Sequence, residues 1–427
     1  MRLIPIVRRL PTRAHGIRVA LAALGLAAVV IAPMRGQAPA ASAPPGNDWP
    51  QWRGPERTGI SRETGLLTSW PKEGPRQLWA ANGLGEGFSG VSVADGRVYT
   101  QGQRGGRHYV TAIDVNTGAK LWETVAGGTF NESRGNGPRG TPTVDGPRIY
   151  TLSPDGVLAC LDAASGKVAW SQNVLQKFRG SVPSWGISES PLIDGDRLIV
   201  MPGGRDGSLV ALNKADGALV WKSGTDGAGY SSAVIGEFEG VRQVVAMNES
   251  AVVGVRADNG QQLWRYTQVS NQTANIATPI VSNGRVFVST EYESGGALLK
   301  VGAKSVSEVY FTRNMRNHYS TSVLVDGVLY GFNSATLTAI RFDNGEVLWR
   351  NRSVGKGSVA YADKHLYVLG EDAILALVEA RSDEYREVSR FSLKQSRYPT
   401  WAPPVIADGR LYVRNQDSVM AFDVRGK

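Results

Sequence analysis

Polar and aromatic side chains recur at one position along this 427-residue chain, shortly before short runs of alternating apolar residues. Aromatic rings, guanidinium groups and amides that converge on one mouth can stack on a ligand, hydrogen-bond it and neutralise its charge. We therefore predict a ligand surface that contains Arg139, Trp185, Glu189, Tyr230, Asn275, His318 and Trp401, with Phe88, Tyr319 and Arg397 as further candidates. The alternative interpretation is a solvated rim, because loops that converge on one face are commonly polar and aromatic.

Catalytic chemistry has little support in the sequence. His318 is the only histidine of this set and has no partner at metal-ligand spacing, which favours a loop histidine. The chain has no Gly-x-Ser-x-Gly elbow and no His-Glu-x-x-His helix. Its single cysteine, Cys160, excludes an intramolecular disulfide, a Cys-x-x-Cys-His haem site and a multi-cysteine zinc cluster. We predict that Cys160 is a buried thiol, and we assign no catalytic residue and no metal ligand.

The elements that position these side chains are repeats. One phrase, apolar-x-Ala-x-Asp-x-x-Thr-Gly-x-x-apolar-Trp, has its best copy at residues 110–122. Close copies occupy 158–170, 210–221, 253–264 and 337–349, with a degenerate copy at 298–311. A second phrase, apolar-x-Asp-Gly-Arg-apolar-Tyr, precedes each copy and is clearest at residues 93–99. Counting weaker forms, the pair of phrases occurs eight times.

Both phrases indicate hairpins. Asp-Gly between alternating apolar residues is a strong hairpin signal, because both central turn residues can take positive φ. In the turn at 114–118, the Asp114 carboxylate can accept backbone N–H bonds and Gly118 can be left-handed. Each repeat is therefore predicted to form four short antiparallel strands. Such a sheet cannot bury itself, so the closing tryptophan of each repeat is expected to pack between neighbouring repeats.

The two ends of the repeat region complement each other. The last copy, at 418–426, stops before any Leu-Trp strand, whereas residues 75–79 near the amino terminus form such a strand without a preceding phrase. Together they would complete one blade, which is how a propeller closes without leaving open edges. The sequence thus predicts an all-β, eight-bladed β-propeller over residues 76–427, closed by pairing of amino- and carboxyl-terminal strands.

The amino-terminal residues indicate export. Residues 1–38 contain six arginines and no acid, and they include a 14-residue apolar run at 19–32, as in a signal peptide. We predict a signal peptide at 1–40, cleaved after Ala40, and an extension at 41–75 that packs on the propeller. Removing residues 1–38 reduces the net charge from +9 to +3, so the composition does not favour nucleic-acid binding. The expected location is the periplasm or the exterior.

The repeat resembles the pyrroloquinoline-quinone (PQQ) repeat family, eight-bladed propellers with tryptophan docking that include quinoprotein alcohol dehydrogenases and the outer-membrane assembly lipoprotein BamB. The resemblance covers about residues 78–424, and residues 48–60 look like the amino-terminal stretch of exported PQQ-like propellers. For a dehydrogenase it implies PQQ at the axial mouth, calcium held by Glu, Asn and Asp side chains, an Asp base and commonly adjacent cysteines. A chain with one cysteine departs from that pattern.

The predicted function is a non-catalytic binding or scaffold module of the cell envelope, with no cofactor and with an envelope protein or glycan as partner. We expect a monomer that binds no nucleic acid and has no transmembrane span in the mature chain. Two alternatives stay open. One is a PQQ- and calcium-dependent alcohol or sugar dehydrogenase, and the other is a polysaccharide-binding propeller that uses Trp185, Tyr230 and Trp401.

Overall fold

The computed structural model describes residues 47–426, which form 32 β-strands and one short α-helix. The strands form eight four-stranded antiparallel sheets, so the predicted eight-bladed propeller is confirmed. The predicted signal peptide at 1–40, and residues 41–46 of the predicted extension, lie outside the described residues. The helix α1 (Val174–Phe178) has five residues, and the described part of the chain contains no helix that could cross a membrane.

Seven blades are built from consecutive strands. Blades 1 to 4 contain β2 (Ser92–Ala94), β3 (Arg97–Arg104), β4 (Arg107–Asp114) and β5 (Lys120–Gly127); β6 (Thr143–Asp145), β7 (Arg148–Leu152), β8 (Val157–Asp162) and β9 (Val168–Asn173); β10 (Leu192–Asp194), β11 (Arg197–Val200), β12 (Leu209–Asn213) and β13 (Leu219–Ser223); and β14 (Val234–Phe238), β15 (Val241–Met247), β16 (Val252–Arg256) and β17 (Gln262–Tyr266). Blades 5 to 7 contain β18 (Ile280–Ser282), β19 (Arg285–Ser289), β20 (Gly296–Val301) and β21 (Val306–Thr312); β22 (Val323–Val325), β23 (Val328–Asn333), β24 (Thr336–Arg341) and β25 (Val347–Asn351); and β26 (Gly357–Ala362), β27 (His365–Gly370), β28 (Ile374–Glu379) and β29 (Glu387–Ser392).

Blade 8 joins the two ends of the propeller. Its strands are β30 (Val405–Ala407), β31 (Arg410–Asn415), β32 (Ser418–Asp423) and, as the outer strand, β1 (Gln77–Ala81). The strand β1 pairs antiparallel with β32, with Trp79 opposite Ala421. This is the shared blade that the incomplete repeats at the two ends predict, and β1 covers the edge of β32 that would otherwise be unpaired.

The fourth strand of most blades carries a tryptophan that docks on the next blade. The indole Nε1 of Trp122 donates to the Ala163 carbonyl at 3.0 Å, and that of Trp221 donates to the Ala257 carbonyl at 3.0 Å. Trp79, Trp170 and Trp349 make equivalent bonds to Val115, Lys214 and Arg381. The acceptors lie in or beside the turn that precedes the next blade's fourth strand, so each ring joins two blades. Cys160, opposite Trp170 in blade 2, is a buried thiol as predicted.

The glycine of each Thr-Gly-type turn has a second role that the turn alone does not require. A Cβ added at Gly118 would lie 2.8 Å from the Trp79 ring, and one added at Gly166 would lie 2.4 Å from the Trp122 ring. Both glycines have a φ of +72°. The residue must therefore be glycine for its left-handed backbone and also for the close approach of the neighbouring tryptophan.

In blades 4, 5 and 7, the residues at the docking position or their partners differ from those of the other blades. Trp264 donates to Gln243 Oε1 at 2.6 Å, and the Gln243 amide donates to the Gly302 carbonyl of blade 5 at 3.0 Å. In blade 5 the degenerate copy has Tyr310, whose hydroxyl donates to the Phe342 carbonyl at 2.9 Å. In blade 7 the tryptophan position is Ser389, and Trp70 of the amino-terminal extension donates its backbone N–H to Ser389 Oγ at 2.7 Å.

Trp70 replaces the missing blade 7 ring. It is 7% exposed and lies in one core cluster with residues of blades 7 and 8. Its ring meets Phe391 edge-on, with a centroid distance of 5.5 Å, and Tyr367 at 5.7 Å. The extension therefore supplies an aromatic ring to the packing of this repeat, but among the described residues its indole Nε1 has no hydrogen-bond partner, unlike the docking tryptophans.

Residues 49–60, here called the axial segment, cross the centre of the ring. The first strands of neighbouring blades contact one another, which places them around the axis. The axial segment bonds to these strands or to the residues just before them: Trp49 pairs with Val93 of blade 1, and Ile60 pairs with Tyr361 of blade 7. The Pro50 carbonyl accepts from the Val144 N–H of blade 2. Beyond the segment, Glu63 accepts from the Gly409 N–H of blade 8.

Two buried arginines hold the axial segment in place. Arg53 donates to the carbonyls of Thr321 and Ser322 just before blade 6, at 3.0 and 2.6 Å. Arg57 donates to the carbonyls of Ser190 and Pro191 before blade 3, and to that of Ala233 before blade 4. Arg53 and Arg57 are 5% and 4% exposed, and burial lowers the pKa of each to about 9. Their guanidinium groups satisfy carbonyls that the short inner strands leave unpaired.

Replacing Trp264 by Ala should lower the free energy of unfolding by about 3–5 kcal/mol, because the ring is 5% exposed and its removal leaves an inter-blade cavity. Equilibrium denaturation measures the loss. The matched control is Trp185→Ala, outside the repeat phrase and partly exposed, which should cost about 1 kcal/mol. A loss below about 1 kcal/mol for Trp264→Ala would contradict the docking role.

Replacing Arg57 by Met should cost about 2–5 kcal/mol, because it leaves the buried carbonyls of Ser190 and Ala233 without a donor. The control is Arg62→Met, five residues later, where the side chain is 71% exposed and pairs only with Glu56, so the cost should stay below about 1 kcal/mol. Equal unfolding midpoints for the two variants would show that the axial segment is not an integral part of the core.

Candidate functional site

One end of the propeller carries the connections between blades and the middle hairpin loop of each blade. The turns within the first and last hairpins lie at the opposite end, because the ends alternate along an antiparallel meander. At the first end lies a cavity of about 440 Å³, here called the axial bowl. Its lining comes from all eight blades and the axial segment: Trp52, Phe88, Arg134, Arg139, Trp185, Ser188, Tyr230, Ser232, Thr273, Ile276, Thr278, Tyr292, His318, Tyr319, Lys356, Glu371, Trp401 and Pro403.

The floor of the axial bowl includes Trp52 of the axial segment. Its indole Nε1 donates to Thr278 Oγ1 of blade 5 at 2.9 Å, which fixes the ring beneath the loops. On either side of Trp52 in sequence, the segment is bonded to blades 1, 2 and 6. The axial segment therefore crosses the ring at the base of the bowl.

Five of the seven predicted site residues line the axial bowl, namely Arg139, Trp185, Tyr230, His318 and Trp401. Two of the three further candidates, Phe88 and Tyr319, also line it, whereas Arg397 does not. The structure thus brings together most of the side chains that share a position before the first strand of a blade.

Glu189 and Asn275 do not line the bowl, and each is only 2% exposed. Glu189 accepts from the Met201 backbone N–H, and burial raises its pKa to about 8. Asn275 donates its amide to the carbonyls of Asn248 and Glu249, at 3.0 and 2.7 Å. Both side chains satisfy backbone groups of middle hairpin loops, those of blade 3 and blade 4, so their position before an inner strand reflects loop-to-loop bonding.

The aromatic wall is a three-ring stack. Trp401 lies between Phe88 and Tyr319, with centroid distances of 4.6 and 5.4 Å and interplanar angles of 30° and 28°. Its indole Nε1 donates to the Glu371 carboxylate at 2.7 Å. Because both faces of Trp401 are covered, it offers no stacking platform to a sugar ring. Across the bowl, Trp185 and Tyr230 are tilted by 54° at 5.5 Å, so they do not form parallel exposed rings either.

Arg139 braces a loop instead of facing a ligand. Its guanidinium donates to Glu132 Oε1 at 2.8 Å and to the carbonyls of Gly135 and Gly137. It also lies 5.2 Å from the centroid of the Phe88 ring. Burial lowers its pKa to about 10, and its donors are already engaged.

The other two cations of the lining, Arg134 and Lys356, are not paired in this way. Lys356 Nζ lies 6.0 Å from the centroid of the Tyr319 ring. Across residues 47–426, neither Arg134 nor Lys356 forms an ion pair with a carboxylate. With Arg139 matched by Glu132, the lining has the cations Arg134 and Lys356 and the carboxylate Glu371, and Glu291 lies beside the wall, 3.8 Å from His318 Nε2.

His318 is held neutral in the wall. Its Nε2 lies 2.9 Å from the Tyr292 hydroxyl and 3.8 Å from Glu291 Oε2. Burial and the nearby Lys356 lower its pKa to about 4. Its Nδ1 and the Tyr319 hydroxyl are buried without a hydrogen-bond partner among the described residues. This wall therefore has unused hydrogen-bonding capacity.

Sequence reasoning missed four lining residues with marked chemistry, Trp52, Tyr292, Lys356 and Glu371. Tyr292 and Glu371 lie in middle hairpin loops, Lys356 lies in a short connection, and Trp52 precedes the repeats. Tyr292 and Glu371 could have been predicted from the strand order, because the middle hairpin loops must lie at the same end of the ring as the connections between blades. Tyr292 has a φ of +56°, a left-handed conformation that the sequence does not indicate for tyrosine.

The axial bowl does not fit a calcium-bound quinone. Calcium takes six to eight oxygen ligands, mainly carboxylates and carbonyls. The bowl has one carboxylate, Glu371, which already accepts from Trp401, and two unpaired cations. Nowhere in the described range do three or more His, Cys, Asp or Glu side chains form a group that could hold a metal.

Comparisons with known proteins agree with the repeat. A family model described as outer membrane protein assembly factor BamB matches residues 106–351. The chain is 25% identical over 369 residues to this factor from Yersinia pestis, covering 82% of the chain and 88% of the relative. It is 26% identical over 256 residues to that from Moranella endobia (strain PCIT), covering 53% of the chain and 62% of the relative. The quinohemoprotein alcohol dehydrogenase from Comamonas testosteroni has a similar fold, with a TM-score of 0.63, 14% identity, and coverage of 89% of this chain and 81% of that one.

Proposed function

The chain belongs to the PQQ-repeat propeller family whose model is described as outer membrane protein assembly factor BamB, and from this premise we propose that it is a non-catalytic binding module of the cell envelope. The binding surface is the axial bowl, and the partner is an envelope protein. The module acts in the periplasm, which the predicted signal peptide at 1–40 supports. Relatives at 25–26% identity bear the name of an assembly factor, which supports a role in assembling or holding other proteins.

The observation that carries the proposal is the construction of the axial bowl. All eight blades and the axial segment contribute to a cavity lined by aromatic rings, with unpaired cations at Arg134 and Lys356. Concave, mostly apolar sites with a few placed polar groups are typical of binding sites. Fixed aromatic rings bury apolar surface of an incoming group, and the charges orient that group.

The geometry does not favour the two alternatives. For a dehydrogenase, the bowl lacks the oxygen set that calcium requires, and its acid and imidazole are engaged by Trp401 and Tyr292. For a polysaccharide-binding propeller, the three aromatic residues first considered are Trp185, Tyr230 and Trp401. None of them joins another in a pair of parallel exposed rings.

Site-specific photocrosslinking tests the proposal in cells that produce the full chain. Benzoylphenylalanine is placed at Thr273, an exposed lining residue, and in a control at Lys304, an exposed residue of the turn between β20 and β21 at the opposite end. We expect a discrete crosslink to an envelope protein from position 273 and not from 304. Identical products from both positions, or none from 273, would contradict binding at the bowl.

Catalysis would overturn the proposal in a different way. The full chain is incubated with PQQ and calcium and then assayed for dye reduction with a panel of primary alcohols and aldose sugars. We expect no turnover above the protein-free control. Stoichiometric PQQ binding with turnover would identify the chain as a dehydrogenase.

A further inference from the structure

The exposed apolar side chains of the propeller are concentrated on one side of its rim. Within residues 47–426, eight large apolar side chains are exposed, and six of these belong to blades 1 to 3 or to the connection between blades 2 and 3. The six are Leu121 and Val125 of β5, Val168 of β9, Val182 after α1, and Leu219 and Val220 of β13, each 38–48% exposed. The outer strands of blades 4, 6, 7 and 8 carry none in the described range. Clustered exposed apolar side chains mark interaction sites, whereas single ones need no explanation.

Contacts between the blades join these strands into one surface. Thr124 Oγ1 of β5 donates to the Gly166 carbonyl, in the turn before β9, at 2.7 Å. Gln172 Nε2 of β9 donates to the Gly217 carbonyl, in the turn before β13, at 2.9 Å. Each outer strand is therefore bonded to the turn that leads into the next one, and the apolar side chains share a continuous part of the rim.

The surface continues at the end of the ring that carries the axial bowl. There α1 follows β9, and its Phe178 carbonyl accepts from the Asp206 N–H of the middle hairpin loop of blade 3 at 3.1 Å. Arg179, the C-cap of α1, donates to Asp206 Oδ1 at 2.7 Å. The strands β5 and β13, with residues 167–182 and 203–207, are here called the outer face.

The outer face has an excess of positive charge. It contains six cations and two carboxylates, Glu123 and Asp206. Arg104 and Lys120 pair with Glu123, and Arg179 pairs with Asp206. The other cations of the outer face form no ion pair within the part of the chain that the structure describes, namely Lys167, Lys177, Arg205 and Lys222. These four charges are available to an external anion.

The shape and composition of the outer face suit a lipid surface. The outer strands of successive blades point away from a common axis, so the face is convex and cannot enclose a peptide. Its exposed large apolar side chains are Val and Leu, whereas protein interfaces concentrate their binding energy on Trp, Tyr and Arg held in pockets. Aliphatic side chains beside lysines and arginines are typical of surfaces that lie in the headgroup region of anionic membranes.

We propose that the outer face rests on a bilayer surface that contains anionic phospholipid. The aliphatic side chains of β9 and β13 enter the headgroup region, and the four unpaired cations lie against lipid phosphates. The propeller axis then lies parallel to the membrane, because the outer face belongs to the rim and not to an end of the ring. The exposed apolar and charged side chains of the outer face do not line the axial bowl, so this proposal does not depend on the binding role proposed above.

An environment-sensitive label tests the contact in the full chain. Val168→Cys carries nitrobenzoxadiazole on the outer face, and Asn351→Cys carries it on β25 of blade 6, opposite blade 2 in the ring. Cys160 is buried and does not compete for the label. With vesicles of phosphatidylglycerol and phosphatidylcholine in equal parts, we expect the emission to rise at least about twofold at position 168 and to stay unchanged at 351. Equal responses at the two positions, or none at 168, would overturn the proposal.

Two variants with the same change in net charge test the role of the cations. One replaces three lysines of the outer face by glutamine, namely Lys167, Lys177 and Lys222. The other replaces three exposed lysines of blades 5 and 7, namely Lys300, Lys304 and Lys394. We expect the first to weaken binding to the phosphatidylglycerol vesicles at least about tenfold and the second less than about threefold, because lipid phosphates attract only nearby cations.

The apolar run at 19–32 is common to both variants, so a difference between them reports on the outer face. Thermal unfolding checks that both are folded. Equal weakening by the two variants would show attraction by net charge alone and would contradict docking through the outer face. Equal binding of the unmodified chain to vesicles of phosphatidylcholine alone would contradict the need for anionic lipid.

An acidic envelope protein is the competing partner of the outer face. Benzoylphenylalanine at Val220, in cells that produce the full chain, detects it. A discrete crosslink to a protein from this position, together with no response of the label at 168 to vesicles, would identify a protein interface and overturn the lipid assignment. The binding role of the axial bowl is unaffected by these outcomes, since the crosslink from position 273 tests it separately.

Discussion

The bonds from two buried guanidinium groups to inner backbone carbonyls are the interaction on which the rest of this structure depends. Eight short first strands leave carbonyls facing the axis, and Arg53 and Arg57 satisfy those next to blades 3, 4 and 6. Burying a guanidinium is costly, and the cost is offset only where every donor finds a well-placed acceptor. The axial segment is thereby fixed at the centre, and Trp52 is fixed as the floor of the bowl.

The same extension completes the ring between blades 7 and 8. The repeat phrase predicts a docking tryptophan in each blade, and Trp79, Trp122, Trp170, Trp221 and Trp349 follow it. Blade 7 has Ser389 at that position, and the ring comes from Trp70, more than 300 residues away in sequence. Local pattern reasoning predicts the blades because hairpin turns and docking positions are periodic. It could not predict Trp70, because that residue fills a space defined only by tertiary packing.

The residues of the candidate site likewise fall into those that the repeat pattern predicts and those that only tertiary structure determines. Arg139, Trp185, Tyr230, His318 and Trp401 were predictable because residues before an inner strand must lie at one end of the ring. Glu189 and Asn275 share that position but bond to the backbone of middle hairpin loops, and the direction of a side chain within an irregular loop is not periodic. Trp52 escaped prediction because its place depends on a segment that precedes the repeats and enters the axis.

Native-state hydrogen exchange of the full chain tests the central claim that the axial segment is part of the core. The Trp49 amide bonds to the Val93 carbonyl and the Gly59 amide bonds to the Arg53 carbonyl, both at 2.8 Å. The account predicts that these amides exchange as slowly as those of the buried strand β15, because both require opening of the ring. Exchange at least 100-fold faster than in β15, with the blades still protected, would show a segment that only lies on the surface and would contradict the account.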